Sequence, residues 1–227
     1  MSRKFLSILY RDDEIIVVDK PSGLLSVPGV LAERWDSMAT RVQSVLPTAR
    51  VVHRLDCATS GVMVMALTAQ SHREMNRQFR EREVGKCYLA LAYGQIKQDT
   101  GTVNLPLIKD WPNRPKQKVC FEQGKEAITH WQVLARQQDY TYVELTPITG
   151  RSHQLRMHMK EIGHPLLGDD FYAPEPALTM AKRLQLHAHR LHFKHPVTGI
   201  AMEFVAPTSL EFKLAPSASS GYLQNTK

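Results

Sequence analysis

The chain has 227 residues, 43% of them hydrophobic, enough for one large domain or two small lobes with a real core. Its formal net charge of +7 favours a polyanionic partner, either nucleic acid or an anionic membrane surface. No apolar run approaches the ~20 residues of a membrane helix, and charges interrupt MSRKFLSILYRDDEIIVV where a signal peptide needs an unbroken apolar core, so a cytosolic protein is expected. Cys57, Cys87 and Cys120 are odd in number, far apart and never in a CxxC pattern, which argues against a disulfide framework or a zinc site.

Residues 14–18, EIIVV, are a β-branched run that predicts a strand, closed by a turn at DKPSG through Pro21 and Gly23. DSMATRVQSVL (36–46) predicts a helix capped by Asp36, with Met38, Val42 and Val45 on one face and Pro47 as its stop. VVHRL and VMVMAL read as buried strands on either side of a loop. In SHREMNRQFREREV, Ser71 followed by Glu74 has the spacing of a capping box, and Met75 and Phe79 form the apolar stripe of a helix starting there. Arg73, Arg77 and Arg80 fall on the remaining, solvated surface.

KCYLALAYGQI predicts a further strand. Residues 109–118, KDWPNRPKQK, combine two prolines, one Trp and four basic residues, among them Arg114, Lys116 and Lys118. Such a segment cannot pack as a core element. It predicts an exposed basic loop able to hold a phosphate backbone and stack on a base. AITHWQVLAR and YTYVELTPI predict a hairpin across RQQD. RSHQLRMHMKEIGHP predicts a helix with Leu155, Met159 and Ile162 as its apolar stripe, His153, Arg156 and Lys160 as a polar stripe on another face, and Gly163 and Pro165 as its end. LHAHRLHFKHPVTGIAMEFVAP predicts two strands around a PVTG turn, and residues 215–227 a frayed tail. Strands and helices mix without regular βαβ alternation. An α+β domain with a largely antiparallel sheet, spanning residues 1–214, is the expectation.

The stretch VVHRLDCATSG concentrates His53, Arg54 and Asp56 between two apolar runs. A kinase catalytic loop is excluded, because Leu55 separates Arg54 from Asp56 and no Gly-rich loop with a following strand lysine exists. A metal site is disfavoured: His187, His189 and His192 in HAHRLH have no carboxylate or Cys at ligand spacing, and HExxH is absent. What remains is a lone carboxylate acting on a nucleic acid or sugar. A glycosidase needs two carboxylates because water must be activated, and the only rivals to Asp56, Asp169 and Asp170 in LLGDDFY, read as a turn. A reaction that breaks a glycosidic bond without consuming water can manage with one. Isomerisation of uridine to pseudouridine is such a reaction, and it needs no cofactor.

HRLDCATSGVMVMA resembles the HRLD-x-x-TSG active-site motif of the RluA family of pseudouridine synthases. The likeness extends to VVDKPSGLLSVPG, KCYLA, PITGRSHQLRMHMKEIGHPLLGD and LHAHRLHFKHPVTG, covering most of residues 10–207. DWPNRPKQKV looks like one branch of that family, whose members act on tRNA anticodon loops and a hairpin of 23S rRNA. The resemblance implies a pseudouridine synthase fold, a mixed and mainly antiparallel sheet with flanking helices and a central RNA-binding cleft. It implies Asp56 as the catalytic aspartate, Tyr88 as the tyrosine that stacks on the target base and is proposed to take the C5 proton, and Arg156 as the arginine paired with that aspartate. Arg54 matches the arginine that enters the RNA stack, and His53, Arg114, Lys116, Lys118 and Arg151 join it as candidate RNA contacts. Many relatives carry an N-terminal S4 RNA-binding domain; only about nine residues precede the first matched strand, so none is expected here. RNA is the implied partner, the protein is expected to be a monomer, and no cofactor or metal is implied. A non-catalytic RNA-binding module on the same fold is the alternative.

Overall fold

The computed structural model of the protein describes residues 5–208, so the tail expected at 215–227 lies outside the described residues. In chain order the strands are β1 (Ile8–Arg11), β2 (Ile15–Lys20), β3 (Arg50–Val51), β4 (Ser60–Ala66), β5 (Gly85–Tyr93), β6 (Thr100–Asn104), β7 (Leu107–Lys109), β8 (Gln117–Val119), β9 (Ile128–Arg136), β10 (Tyr140–Pro147), β11 (Leu186–Lys194) and β12 (Ala201–Val205). The helices are α1 (Met38–Gln43), α2 (Ala69–Arg80) and α3 (Gln154–Glu161). One ten-stranded sheet runs β1-β2-β4-β11-β5-β10-β9-β6, with β3 beside β4 and β12 beside β11. Among the strand pairs of the described residues only β4–β11 is parallel, as expected of an α+β sheet.

The sequence patterns explain the placement. IIVVDK and SGVMVMA are buried along nearly their whole length, and they are neighbours in the interior of the sheet, covered on both faces. β9 and β10 form the expected hairpin, and β10 alternates strictly between half-buried and buried positions. Two large apolar clusters result. One gathers β2, β4, Met38 and Val42 of α1 and Met75 of α2; the other gathers β5, β10 and the Leu155 and Met159 stripe of α3. Tyr88 packs against both, so it stands where the two halves of the core meet.

Several local expectations shift. Ser37, not Asp36, caps α1: its hydroxyl accepts from the Thr40 N–H, while Asp36 pairs with Arg41. α2 starts two residues early, at Ala69, with Thr68 as the cap; Ser71 turns instead to Glu14, and Glu74 pairs with Arg77. VVHRL forms strand only at Val51, and the rest is an extended loop. The basic segment 109–118 is not a bare loop. Its ends pair as the two-stranded ribbon β7–β8, which projects the intervening tip.

The parallel contact rests on one residue. Gly61 has φ +116°, and a Cβ there would lie 2.2 Å from the Ala188 carbonyl oxygen, across the β4–β11 register. Gly61→Ala is therefore expected to cost more than about 3 kcal/mol of stability. A urea midpoint within error of wild type would contradict this account of the central pairing.

Candidate active site

Asp56 sits in the extended loop that joins β3 to β4, and backbone carbonyls hold this loop in place. The Ser26 hydroxyl donates to the Leu55 carbonyl at 2.7 Å and accepts the Leu55 N–H at 2.9 Å. The Cys57 carbonyl receives Gly23 N–H at 2.9 Å and Lys20 Nζ at 3.1 Å, and the Ala58 carbonyl receives the Ser22 hydroxyl at 2.7 Å. The turn DKPSGLLS thus forms a cradle under residues 55–58. Lys20 is fully buried and also donates to the Leu24 and Pro21 carbonyls. Burial pushes its ammonium down to about 8, against the pull of the Cys57 thiol and Asp56. The Asp56 side chain takes no part in this stitching and is 28% exposed.

Arg156 was expected on a polar face of its helix. It is instead 2% exposed, among the most deeply buried side chains in the molecule. Its main partner is Asp169, itself at 0%, through a two-point contact that includes Nε to Oδ2 at 2.8 Å. Asp170 adds a contact at 3.0 Å, and the Phe171 and Tyr172 rings lie 4.9 and 5.3 Å from the guanidinium carbon. Nη1 remains to face Asp56, 3.8 Å from Oδ2. Burial works against the arginine's charge, but the Asp169 bonds overcome it and hold its pKa above the ordinary value. The expected Arg156–Asp56 pairing is therefore a longer-range ion pair. Asp169 and Asp170 are tied to the arginine, which removes them as a second catalytic carboxylate.

These groups open onto a cleft of about 840 Å³. Among the described residues Asp56 is the only acid on its wall, against the basic residues Arg54, Arg80, Arg82, Lys86, Arg151 and Arg156. The cleft brings together the expected Asp56, Tyr88, Arg156, Arg54, His53 and Arg151. Arg114, Lys116 and Lys118 are not on its wall; they ride on the β7–β8 ribbon, whose Pro115 reaches it. Trp111, at the ribbon's tip, is exposed, with Lys109 Nζ 4.3 Å and the Arg114 guanidinium carbon 5.4 Å from its ring centre. His53 is a wall rather than a charge. Its Nε2 accepts the Val64 N–H at 3.0 Å, its ring stacks on Phe79, and burial pushes its imidazole down to about 3.

The chain that folds into this cradled loop and basic cleft is similar in sequence and in fold to known proteins. Residues 14–161 match the family model for RNA pseudouridylate synthase. The chain belongs to the RNA pseudouridylate synthase family. It is 60% identical over 198 residues to the dual-specificity RNA pseudouridine synthase RluA of Yersinia pestis, covering 87% of this chain and 96% of that protein. Identity to the protein of the same name from Escherichia coli K12 is 58% over 204 residues, covering 89% and 93%. Among solved structures, human RNA pseudouridylate synthase domain containing 1 superposes with a TM-score of 0.74 at 29% identity, covering 89% of this chain and 83% of that one. Human RNA pseudouridylate synthase domain containing 4 gives 0.73 at 26%, covering 88% of each. The protein is an RNA pseudouridine synthase, an isomerase that turns uridine in RNA into pseudouridine.

Pseudouridine synthase chemistry gives the remaining cleft residues a context. Burial, reinforced by the Asp56 charge, pushes the Tyr88 phenol up, so it stands neutral beside the aspartate. Lys20, Tyr172, Arg82 and Lys86 were missed from sequence, and Asp169 was read as a rival carboxylate in a turn and not as the arginine's partner. Lys20 had a visible signal, a lysine closing a buried β-branched strand before a Pro-Gly turn. Asp169 had none, because nothing local separates it from Asp170.

Two poorly solvated imidazoles, one buried and one half-buried, set an acid limit. His53 at about 3 and His187 at about 4 (bonded to the Ser60 hydroxyl at 2.9 Å) are both lowered mainly by burial. Each stays neutral in the fold, while the unfolded chain takes up protons near 6.5. Their contribution is complete above about pH 6.5 and is lost as pH falls toward their folded values. Urea midpoints should drop between pH 7.5 and pH 4.5, and drop less in His187→Gln. Equal wild-type midpoints at the two pH values would refute this.

Proposed function

We propose that the protein isomerises uridine in two RNA settings, a tRNA anticodon loop and a hairpin of 23S rRNA, with Asp56 acting on the ribose. The observation that carries the assignment of Asp56 is its isolation: among the described residues it is the only acid on a cleft wall with six basic residues. The dual-specificity names of the bacterial relatives support the pair of substrates.

The chemistry balances without water or cofactor. The N1–C1′ bond breaks, the uracil turns, and a C5–C1′ bond forms. The proton leaves C5, and N1 gains one. Asp56 starts the sequence either by attacking C1′ or by taking the C2′ proton to give a glycal. In both cases Arg156 Nη1, at 3.8 Å, sets the field around the carboxylate without capping it. A target base must leave its stack at a cost of a few kcal/mol. Tyr88 offers a flat face worth roughly 1–3 kcal/mol of stacking. Burial disfavours the phenolate that C5 deprotonation calls for, so stacking is the role we assign to it. Arg54, exposed on the wall two residues before Asp56, is placed to fill the gap left by the base. Arg151, whose Nε donates to the Glu126 carbonyl, presents its remaining donors to phosphate. The β7–β8 ribbon supplies the outer grip through Arg114, Lys116 and Lys118.

RNA transcribed with C5-tritiated uridine, as a tRNA and as a 23S fragment, tests the reading. Wild type should release tritium to water from both. Asp56→Asn should lose about 10³-fold or more of the rate, as removal of a group central to the chemistry does. RNA affinity in that variant should stay within about threefold, because the lost group makes no phosphate contact. Undiminished release by Asp56→Asn would overturn the assignment. Arg114→Ala with Lys116→Ala should weaken RNA binding and lower the salt slope by roughly 0.7–0.9 per lost phosphate contact. An unchanged slope would remove the ribbon from the interface.

A further inference from the structure

The β7–β8 ribbon and the buried arginine meet at one hydroxyl. Tyr172 is 9% exposed, and its oxygen accepts the backbone N–H of Gln117, the first residue of β8, at 2.8 Å. The same oxygen lies 2.8 Å from Nδ1 of His153. Burial pushes the Tyr172 phenol up to about 12 and pulls the His153 imidazole down. The one phenol oxygen therefore bonds both the ribbon backbone and the His153 ring, which lines the cleft.

The surroundings make this bond a junction. Tyr172 belongs to the turn whose Asp169 holds Arg156: Asp169 Oδ1 receives the Phe171 and Tyr172 N–H groups at 2.9 and 3.2 Å. The ribbon packs on the same turn through a small apolar cluster of its own, in which Leu107 and Val119 meet Met157, Phe171 and Tyr172. His153 is held in a left-handed conformation, φ +54°, at the start of α3, with no side-chain cap bond, and its ring stacks on Phe171 at 5.5 Å. A non-glycine residue keeps that conformation only where its surroundings over-determine it.

We propose that Tyr172 is a positioning residue that couples the seating of the β7–β8 ribbon on RNA to the placement of His153 and Arg156 around Asp56. The inference rests on the isomerase reading and deepens it. Contact made by the ribbon, outside the cleft, reaches the chemistry through the Gln117–Tyr172–His153 chain. A ribbon displaced from its seat breaks the Gln117 bond and loosens both side chains that Tyr172 orders.

Tyr172→Phe tests this, because it removes the hydroxyl and keeps the ring that lies over Arg156. Single-turnover tritium release at saturating enzyme should fall about tenfold, with RNA Kd changed less than about threefold and the urea midpoint close to wild type. The ribbon variant Arg114→Ala with Lys116→Ala supplies the second arm. Combined with Tyr172→Phe, it should lower the saturating rate by less than the product of the separate effects. His153→Gln, which removes the ring nitrogen that Tyr172 serves, should reproduce the rate loss. A Tyr172→Phe rate equal to wild type, or effects that multiply fully, would overturn the coupling. Failure of the isomerase reading looks different: wild type itself would release no tritium.

Discussion

A guanidinium buried to 2% exposure is the constraint from which the site's geometry follows. Taking such a charge out of water costs several kcal/mol, and removing one member of a buried pair typically costs 3–5 kcal/mol, so Arg156 demands an exact complement. Asp169 supplies it, and Asp169 in turn draws in the N–H groups of Phe171 and Tyr172. The turn after α3 is thereby locked to the helix, its two rings lie 4.9 and 5.3 Å from the guanidinium carbon, and one N–H-bearing corner, Nη1, is left to face the cleft. The arginine brings a fixed positive charge to Asp56 without satisfying it. A direct two-point pair between these residues would have spent the carboxylate on the arginine.

Asp56 is placed by the opposite strategy. None of the bonds that fix its loop uses its side chain; they hold the carbonyls of Leu55, Cys57 and Ala58. Four donors from one turn grip the carbonyls on both sides of Asp56, so the backbone is pinned while the carboxylate keeps its lone pairs free. The buried ammonium of Lys20 is the expensive member of this set, and its lowered pKa records the expense. Preorganisation here means that ordering was completed on folding, before any substrate arrives.

The legible part of this molecule was the part written in local pattern. Buried β-branched runs, the alternating β9–β10 hairpin and the Leu155–Met159 stripe predict their elements from residues within one turn or one strand. The HRLD loop was visible as a charged interruption between apolar runs. Arg156 was legible as a polar position facing Asp56, but its depth was not, because helical periodicity gives its face and not what covers that face, and the covering turn lies 13 residues on. The capping box at Ser71 failed for a related reason: Thr68 offered a competing cap, and the Ser71 hydroxyl found Glu14 across the fold. The basic segment was rightly exposed, yet its pairing as a ribbon depends on Leu107 and Val119, which flank the window that composition drew attention to.

The surface charge is arranged so that attraction is concentrated where the chemistry is. A net charge of +7 spread evenly would bind RNA anywhere. Several cations away from the cleft are compensated at home: Arg77 by Glu74, Glu81 and Glu83, Arg41 by Asp36, and Arg136 by Asp99. Arg54 and Lys86, on the cleft wall, form no ion pair among the described residues, and neither do Lys116 and Lys118 on the ribbon beside it. Burial and the neighbouring Arg82 lower the Lys86 pKa, so a phosphate there would relieve repulsion as well as supply a counter-charge. Exposed pairs such as those of Arg77 contribute little to stability. Their larger effect is on recognition, because each one cancels a site at which RNA could bind unproductively. Lys116 and Lys118 on the ribbon and Arg54 and Lys86 on the cleft wall thus carry uncancelled charge toward the aspartate.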